Sequence, residues 1–532
     1  MSGIPPVIET PLMKMKAAGS EPVWKRFAIA MSASNLLFLP VWSLLLYGSG
    51  FGRPRISAIN YWAAILDTFA VAVLFFVCMS LSGQKPGSPK LQLLGYIPIL
   101  SLLFPARYLL LSSHANLFGR AVSLVGVGVA VVLSVCLGAL SLYIVWCWWH
   151  TVIRGCETGL LLLSLFCVVT FGQVAQKLWR GTSNALRAQP ASTVMAPASR
   201  SRVLWLLFDE MDERLSYAQR PAALELPELD RLKEAAFYAS NAYPPANFTL
   251  ISVPALTTGR VVLGSTPGQN GDLLLKFADS GSIGGWSSLP TVFSDAREHG
   301  LSVGIAGWSI PYCRLFRGDL QQCYWVSFGP QISGNLWDTM RSEAATVLPL
   351  EGKADHVREY EGILEHGKQL ATDPSLDIVY LHFPIPHDPP IYDRQSRQFS
   401  ITKWRPDAYL DSLALVDRTV GELRSAMEKA RVWDSTTVIL MADHSWRRSA
   451  DFDGRIDRRV PFLVKLVNQK QGYTYATPFN TVITRQLISL LASSPSPSES
   501  ELAQWLDASA RQQPHLASSA IPGASSGTSP ID

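Results

Sequence analysis

Five long apolar segments lie before residue 176, at roughly 27–48, 60–82, 92–112, 121–148 and 156–175, and nothing else in the chain constrains its fold as strongly. Each is near or above the ~20 residues that cross a bilayer as a helix. Pro98, Pro105 and Arg107 interrupt the third. The first is too long, and too closely followed by others, for a cleaved signal peptide. Trp42, Trp62, Trp146, Trp148 and Trp149 sit near segment ends, where amphipathic rings prefer the membrane interface. Charged residues make up only 17% of the chain and are scarcest here, which weighs against the alternative of buried core helices in a soluble protein. A five-helix transmembrane bundle over 27–176 is therefore expected, after a cytoplasmic tail at 1–26.

Positive residues set the expected orientation. Lys14, Lys16, Lys25 and Arg26 in the tail, Lys85 and Lys90 in the second loop and Arg154 in the fourth make seven. Arg53, Arg55, Arg107 and Arg120 in the first and third loops make four, so the bias favours a cytoplasmic N-terminus. Five crossings would place everything after residue 176 outside the cytoplasm. The formal charge of +4 implies no polyanionic partner and no nucleic acid. Five of the seven cysteines lie in or beside the apolar segments. The other two, Cys313 and Cys323, close a short loop and suggest a disulfide in an oxidising compartment, with two free thiols as the alternative.

After a polar linker at 177–200 the pattern changes to alternating strands and helices. The continuous apolar runs 202–208, 377–383 and 436–442 read as strands buried on both faces, and shorter runs near 302–306 and 460–466 add more. Leu413, Val416, Val420, Leu423 and Met427, spaced 3 and 4 apart, mark one face of a helix. The expectation is an α/β domain over 201–495, its sheet covered by helices on both faces. The Ser/Pro/Ala/Gly-rich tail at 496–532 reads as disordered.

Ligands in such sheets bind beyond the carboxyl ends of the strands, where Asp209, Glu210, His382, His387, Asp443 and His444 fall. Asp and His at one edge suit zinc or manganese. Thr249, in the uncharged stretch N-F-T-L-I-S-V-P-A-L-T-T-G, supplies a hydroxyl that metal coordination can turn into a nucleophile. Around it, Ser252 is expected to cap a short helix, with Pro254 in the first turn and Gly259 just past the end. A helix starting there directs backbone N–H groups at an anion beside Thr249. Arg447, Arg448, Arg458 and Arg459 read most simply as a solvated basic face, with neutralisation of a phosphate as the functional alternative for Arg447 and Arg448.

In order, Asp209-Glu210, T-L-I-S-V-P-A-L-T-T-G-R, H-F-P-I-P-H-D-P and Asp443-His444 resemble the motifs of the alkaline phosphatase/sulfatase superfamily. Leu256, Thr258, Gly259 and Arg260 match the sulfatase L-x-T-G-R register, which puts Thr249 at the nucleophile position. Threonine cannot become the formylglycine that sulfatases need, and Val253 replaces their motif arginine. T-x-x-S-x-P and L-H-F-P-I-P-H-D-P are instead similar to segments of membrane-bound phosphoethanolamine transferases, which with lipoteichoic acid synthases carry five membrane helices before an extracytoplasmic catalytic domain. The resemblance implies a sulfatase-like domain with a mainly parallel sheet. It implies a divalent metal, zinc ahead of manganese, held by Asp209 and/or Glu210 with Thr249, Asp443 and His444. It implies that His382 and His387 contact phosphate, protonate the leaving group or hold a second metal; Asn247 and Arg447 complete the candidate substrate-binding set.

The function expected is transfer of a phospholipid headgroup phosphoryl unit, phosphoethanolamine or similar, through a covalent threonine intermediate to an envelope glycan or lipid acceptor. The expected location is the bacterial inner membrane, multi-pass, with the catalytic domain on the periplasmic side. The rival enzyme reading is a membrane-anchored phosphodiesterase, phosphatase or atypical sulfatase; a non-catalytic scaffold is the third.

Overall fold

The computed structural model describes residues 22–47, 51, 56–84, 93–106, scattered positions from 129 to 148, 149–181, 201–268, 271–327, 335–347, 352–400, 407–492 and 497–512. It divides the chain into two units.

The first unit is helical. Helices α1 (Val23–Leu37) and α2 (Leu39–Tyr47) are bent by 63° at their junction. Pro40 follows the break, and its missing N–H leaves the turn without a ladder bond. Helix α3 (Ala58–Gln84), helix α4 (Trp149–Leu162) and helix α5 (Ser164–Gly181) complete the main elements. Two bonds between helices hold polar groups inside the unit: Ser34 donates to the Thr68 carbonyl at 2.6 Å and Asn35 to Thr170 at 3.3 Å. By length and composition two helices can cross a membrane, or three if α1 and α2 form one bent span. The expected bundle of five is thus met by two or three spans among the described residues. The third segment contributes a ten-residue apolar helix over Ile97–Ala106, and more than half of the fourth lies outside the described residues, as does most of the linker at 177–200.

The first unit also takes in a segment expected in the catalytic domain. Residues 332–349 belong to it, including the helix Leu336–Val347, whose Val347 joins Phe38, Val41, Trp42, Tyr61 and Val174 in one apolar cluster. Thr339, Glu343 and Val347 recur every four residues and form its buried face.

The second unit is α/β. Its main sheet contains strands β1 (Arg202–Asp209), β2 (Phe237–Ala239), β3 (Val303–Trp308), β4 (Gln322–Val326), β5 (Ile378–Pro386), β6 (Thr436–Ala442), β7 (Phe462–Lys465) and β8 (Tyr473–Tyr475), in the order β8-β2-β7-β6-β1-β5-β3-β4. All neighbours are parallel except β6–β7 and β7–β2, so the sheet is mixed and mainly parallel. Residues 203–208 are at most 1% exposed, which explains an uninterrupted apolar run in the central strand. The buried Arg202 anchors the entry to β1 by donating to the carbonyls of Leu370, Ala371, Asp373 and Leu376. The expected helical face is the buried face of Ala408–Lys429, with Leu413, Val416, Val420, Leu423 and Met427 in the core.

The tail departs from expectation at its start. Helix Glu499–Gln512 buries Leu502 and Leu506 in the main core. It begins in a capping box, with Ser498 and Glu501 bonding each other's backbone N–H, and Tyr475 donates to Asp507 at 2.7 Å. Serine and proline in the preceding stretch read as disorder, yet Ser498 starts a helix. Residues 513–532 lie outside the described residues.

Candidate active site and metal centre

Register brings the two aspartates together. In the parallel pair β1–β6, Phe208 is opposite Ala442, so Asp209 and Asp443 leave the sheet side by side at its carboxyl edge. On the other flank Leu207 pairs with His382, placing that ring beside the same edge. Asp209, Asp443 and His444 are all buried, and one ligand atom from each lies within 4.8 Å of the others. His444 Nε2 is 3.6 Å from Asp209 Oδ1 and 3.5 Å from Asp443 Oδ2.

The His444 tautomer follows from its other nitrogen. Nδ1 sits 3.0 Å from the Ser445 carbonyl, which can only accept, so Nδ1 carries the proton and Nε2 offers its lone pair to the cluster. Asp443 Oδ1 accepts from the N–H groups of His444 (2.8 Å) and Glu210 (3.3 Å), which fixes that carboxylate. Asp209 Oδ1 and Asp443 Oδ2 are buried without a hydrogen-bond partner. Burial first, then the neighbouring Asp443 and Glu210 charges, push the Asp209 carboxyl well above its ordinary range. Two orphaned carboxylate oxygens facing an imidazole lone pair form a donor set that fits a divalent cation.

Thr249 lies at this cluster. Its Oγ1 is 3.3 Å from His444 Nε2 and 3.4 Å from Asp209 Oδ2. It opens the helix Thr249–Thr258, preceded by the extended Phe248, which has no side-chain cap. Ser252, expected as the cap, is instead inside the helix, where its hydroxyl donates to the Asp443 carbonyl at 2.5 Å and ties the nucleophile segment to the end of β6. Pro254 is also interior, not in the first turn. Gly259 ends the helix as expected, in the left-handed region at φ +67°, where an added Cβ would come within 2.8 Å of the Gln486 side chain. Ile251 and Ser252 donate to the Phe248 carbonyl, and the N–H groups of Thr249 and Leu250 precede the first helical bond of this uncapped start.

Glu210 goes elsewhere. At φ +66° its backbone turns away, the Tyr409 hydroxyl holds its carbonyl at 2.6 Å, and its carboxylate accepts from Arg447 Nε at 2.5 Å. Arg447 also reaches His387 Nε2 at 3.2 Å and lies over the Phe248 ring. The simple reading of Arg447 as solvated surface therefore gives way to a fixed cation at the rim. Arg448 reaches Asp388 at 3.2 Å, and Arg459 is bound to Asp457. His382 is fully buried, with Nε2 4.0 Å from Asp209 Oδ2; burial lowers its pKa to about 4, so the ring is neutral. His387 is only partly enclosed, its Nδ1 2.6 Å from the Asp388 carbonyl, and desolvation lowers its pKa as well. Asn247 is half-buried in the turn before Thr249 and makes none of these bonds. Arg260, from the sulfatase-like register, pairs with Asp279 and not with the cluster.

Cys313 and Cys323 are joined in a disulfide. Beside it, Tyr312 bonds His382 Nδ1 at 2.8 Å and Tyr380 at 3.0 Å, a set that motif reading misses because no spacing links these residues in sequence.

The profile of the type I phosphodiesterase / nucleotide pyrophosphatase family matches residues 264–513. That family is alkaline phosphatase-like, and the matched residues include Asp443 and His444 of the metal-ligating cluster but not Asp209 or Thr249. Similar solved structures include Ps i-CgsB in complex with k-i-k-neocarrahexaose (17% identity, TM-score 0.42, covering 59% of this chain and 77% of that one). A Vibrio parahaemolyticus protein of the alkaline phosphatase superfamily is 17% identical, with TM-score 0.38, covering 56% and 67%. The phosphonate monoester hydrolase of Agrobacterium radiobacter is 14% identical, with TM-score 0.37, covering 54% and 72%. No curated protein matches.

Proposed function

We propose that this chain is a metal-dependent membrane transferase that moves a phospholipid headgroup phosphoryl unit, phosphoethanolamine or similar, to an envelope glycan or lipid acceptor. The observation that carries the reading is Thr249 Oγ1, at a helix start and within 3.4 Å of both His444 Nε2 and Asp209 Oδ2. Asp209, Thr249, Asp443 and His444 would hold the metal, zinc ahead of manganese. When bound, the cation supplies an acidified threonine hydroxyl and charge neutralisation at the phosphoryl oxygens.

The chain's own groups account for the rest. Thr249 Oγ forms a bond to phosphorus as the diacylglycerol oxygen–phosphorus bond breaks, and the diacylglycerol oxygen takes up a proton. The first-turn N–H groups face the phosphoryl oxygens, and Arg447 stands at the rim as a cation. In the second step an acceptor hydroxyl displaces Thr249 and regenerates it. Apolar N-terminal helices suit a lipid donor, and the disulfide suits a periplasmic location.

The family match favours one second reading, a membrane-anchored phosphodiesterase or related hydrolase with water as acceptor. The deciding experiment is peptide mass spectrometry of detergent-purified chain incubated with bacterial phospholipids, for wild type and Thr249→Ala. A headgroup-phosphate adduct on the Thr249 peptide, absent in the variant, supports transfer through threonine, and its mass names the headgroup. A product glycan or lipid separates the transferase from release of free headgroup phosphate. No adduct, even in a His444 variant with slowed turnover, refutes the covalent reading.

A further inference from the structure

Tyr409 joins the two loops that carry the candidate metal ligands. Its hydroxyl donates to the Glu210 carbonyl at 2.6 Å and accepts the Asp212 N–H at 2.9 Å. Its ring stacks on Trp446, two residues past His444, with centroids 3.9 Å apart and planes 5° from parallel. Both side chains are buried.

The hydroxyl's two bonds bracket Met211 and close the turn that follows Asp209. Neither role is ambiguous, since a carbonyl only accepts and an amide N–H only donates. Glu210, inside this turn, is left-handed at φ +66°. Residues other than glycine keep that conformation only where their surroundings impose it. The turn bears on both aspartates of the cluster. It begins at Asp209, and its Glu210 N–H is one of the two that fix Asp443 Oδ1. It also sends the Glu210 carboxylate to Arg447.

Tyr409 itself is anchored from outside the cluster. It is the second residue of the helix Ala408–Lys429. Arg394 pins the start of that helix by pairing with Asp407 at 2.7 Å and Asp411 at 3.1 Å. The clamp is thus held by the helix and not by the residues on which it acts.

We infer that Tyr409 is a positioning residue for the metal centre: its hydroxyl holds Glu210 in the left-handed turn, and its ring fixes that turn against the loop that bears His444. This role rests on the reading of Asp209, Asp443 and His444 as metal ligands; it is independent of which group is transferred.

The test titrates the metal-stripped full chain in detergent with zinc against a chromophoric chelator. Tyr409→Phe keeps the stacked ring and removes only the hydroxyl, and its zinc Kd is expected to rise about ten- to a hundredfold. Glycine adopts the left-handed region without a clamp, so adding Glu210→Gly to Tyr409→Phe should restore the affinity to within about threefold of wild type. Adding Glu210→Gln, which removes the same charge but keeps the Cβ, should not. A role in folding alone would give no such difference between glycine and glutamine. Trp446→Leu leaves the hydroxyl in place and should show a smaller loss of affinity, which keeps the test open if Tyr409→Phe does not fold. Equal zinc affinity in wild type and Tyr409→Phe, equal rescue by glutamine, or wild-type affinity in Trp446→Leu overturns the role. A wild-type chain that binds zinc no better than Asp443→Asn overturns the metal reading itself, and the role with it.

Discussion

Asp209 and Glu210 are neighbours in sequence, and the structure gives their carboxylates opposite surroundings. Asp209 faces Asp443 across the strand ends, with two oxygens of the pair left unbonded in the interior. Glu210 turns out through a left-handed backbone and meets Arg447. One cluster is the candidate site for a cation from outside the chain; the other carries its own. The contrast teaches how one sheet edge holds so many acids: each is stable only where positive charge reaches it, and the two sources differ.

Several substitutions can break or sharpen this contrast. Asp443→Asn should have the largest effect, removing a candidate metal ligand and the acceptor of two backbone N–H bonds. Activity is expected to fall by about a thousandfold or more, with metal content by elemental analysis dropping in parallel. Retention of full metal content would dissolve the contrast.

Arg447→Ala comes next. It leaves Glu210, 5% exposed, without its cation, and should destabilise the catalytic domain by about 2–4 kcal/mol in denaturant titration while metal content persists. Adding Glu210→Gln to that variant should restore most of the loss. If Arg447→Ala released the metal instead, the two clusters would be one.

Glu213 is a third case, a buried carboxyl that accepts from the Tyr238 hydroxyl. Burial first raises its pKa from 4.5 to about 7. Between those values the folded state holds a proton that the unfolded state has lost. Its stabilising contribution is therefore complete below about pH 4.5 and lost as pH rises through 7. Glu213→Gln should flatten the decline in melting temperature between about pH 5 and 8, by an amount equivalent to roughly 2 kcal/mol. An unchanged slope would mean that Glu213 is ionised throughout.

Arg260→Ala should matter least. Its pair with Asp279 is half in solvent, so activity within about twofold and a stability change below about 1 kcal/mol are expected. A large loss of activity would bring the sulfatase-like arginine back into the site.

What can be read in advance follows from how locally each feature is encoded. β1, β5 and β6 are legible because strands buried on both faces must be apolar at every position, and the acidic and histidine residues that end those runs mark the edge where ligands bind. Gly259 is legible because its left-handed turn excludes most side chains. The helix Glu499–Gln512 escapes a reading by composition, since the serine and proline around it hide the pairing of Ser498 with Glu501 that starts it. The helix Leu336–Val347 cannot be placed from sequence: two of the three residues it buries, Thr339 and Glu343, are polar and do not mark a face to be covered. The Arg447–Glu210 pair and the Tyr312–His382 contact join residues 237 and 70 positions apart, and no local pattern announces either.

The Cys313–Cys323 bridge has a consequence of its own. It closes a loop across a sequence separation of 10, worth about 3 kcal/mol of chain entropy, and its first sulfur is one residue from Tyr312. A chain synthesised where glutathione keeps thiols reduced folds without that tether and gains it only on meeting an oxidant. The loop that carries Tyr312 is thus tethered to β4 only once that bridge has formed.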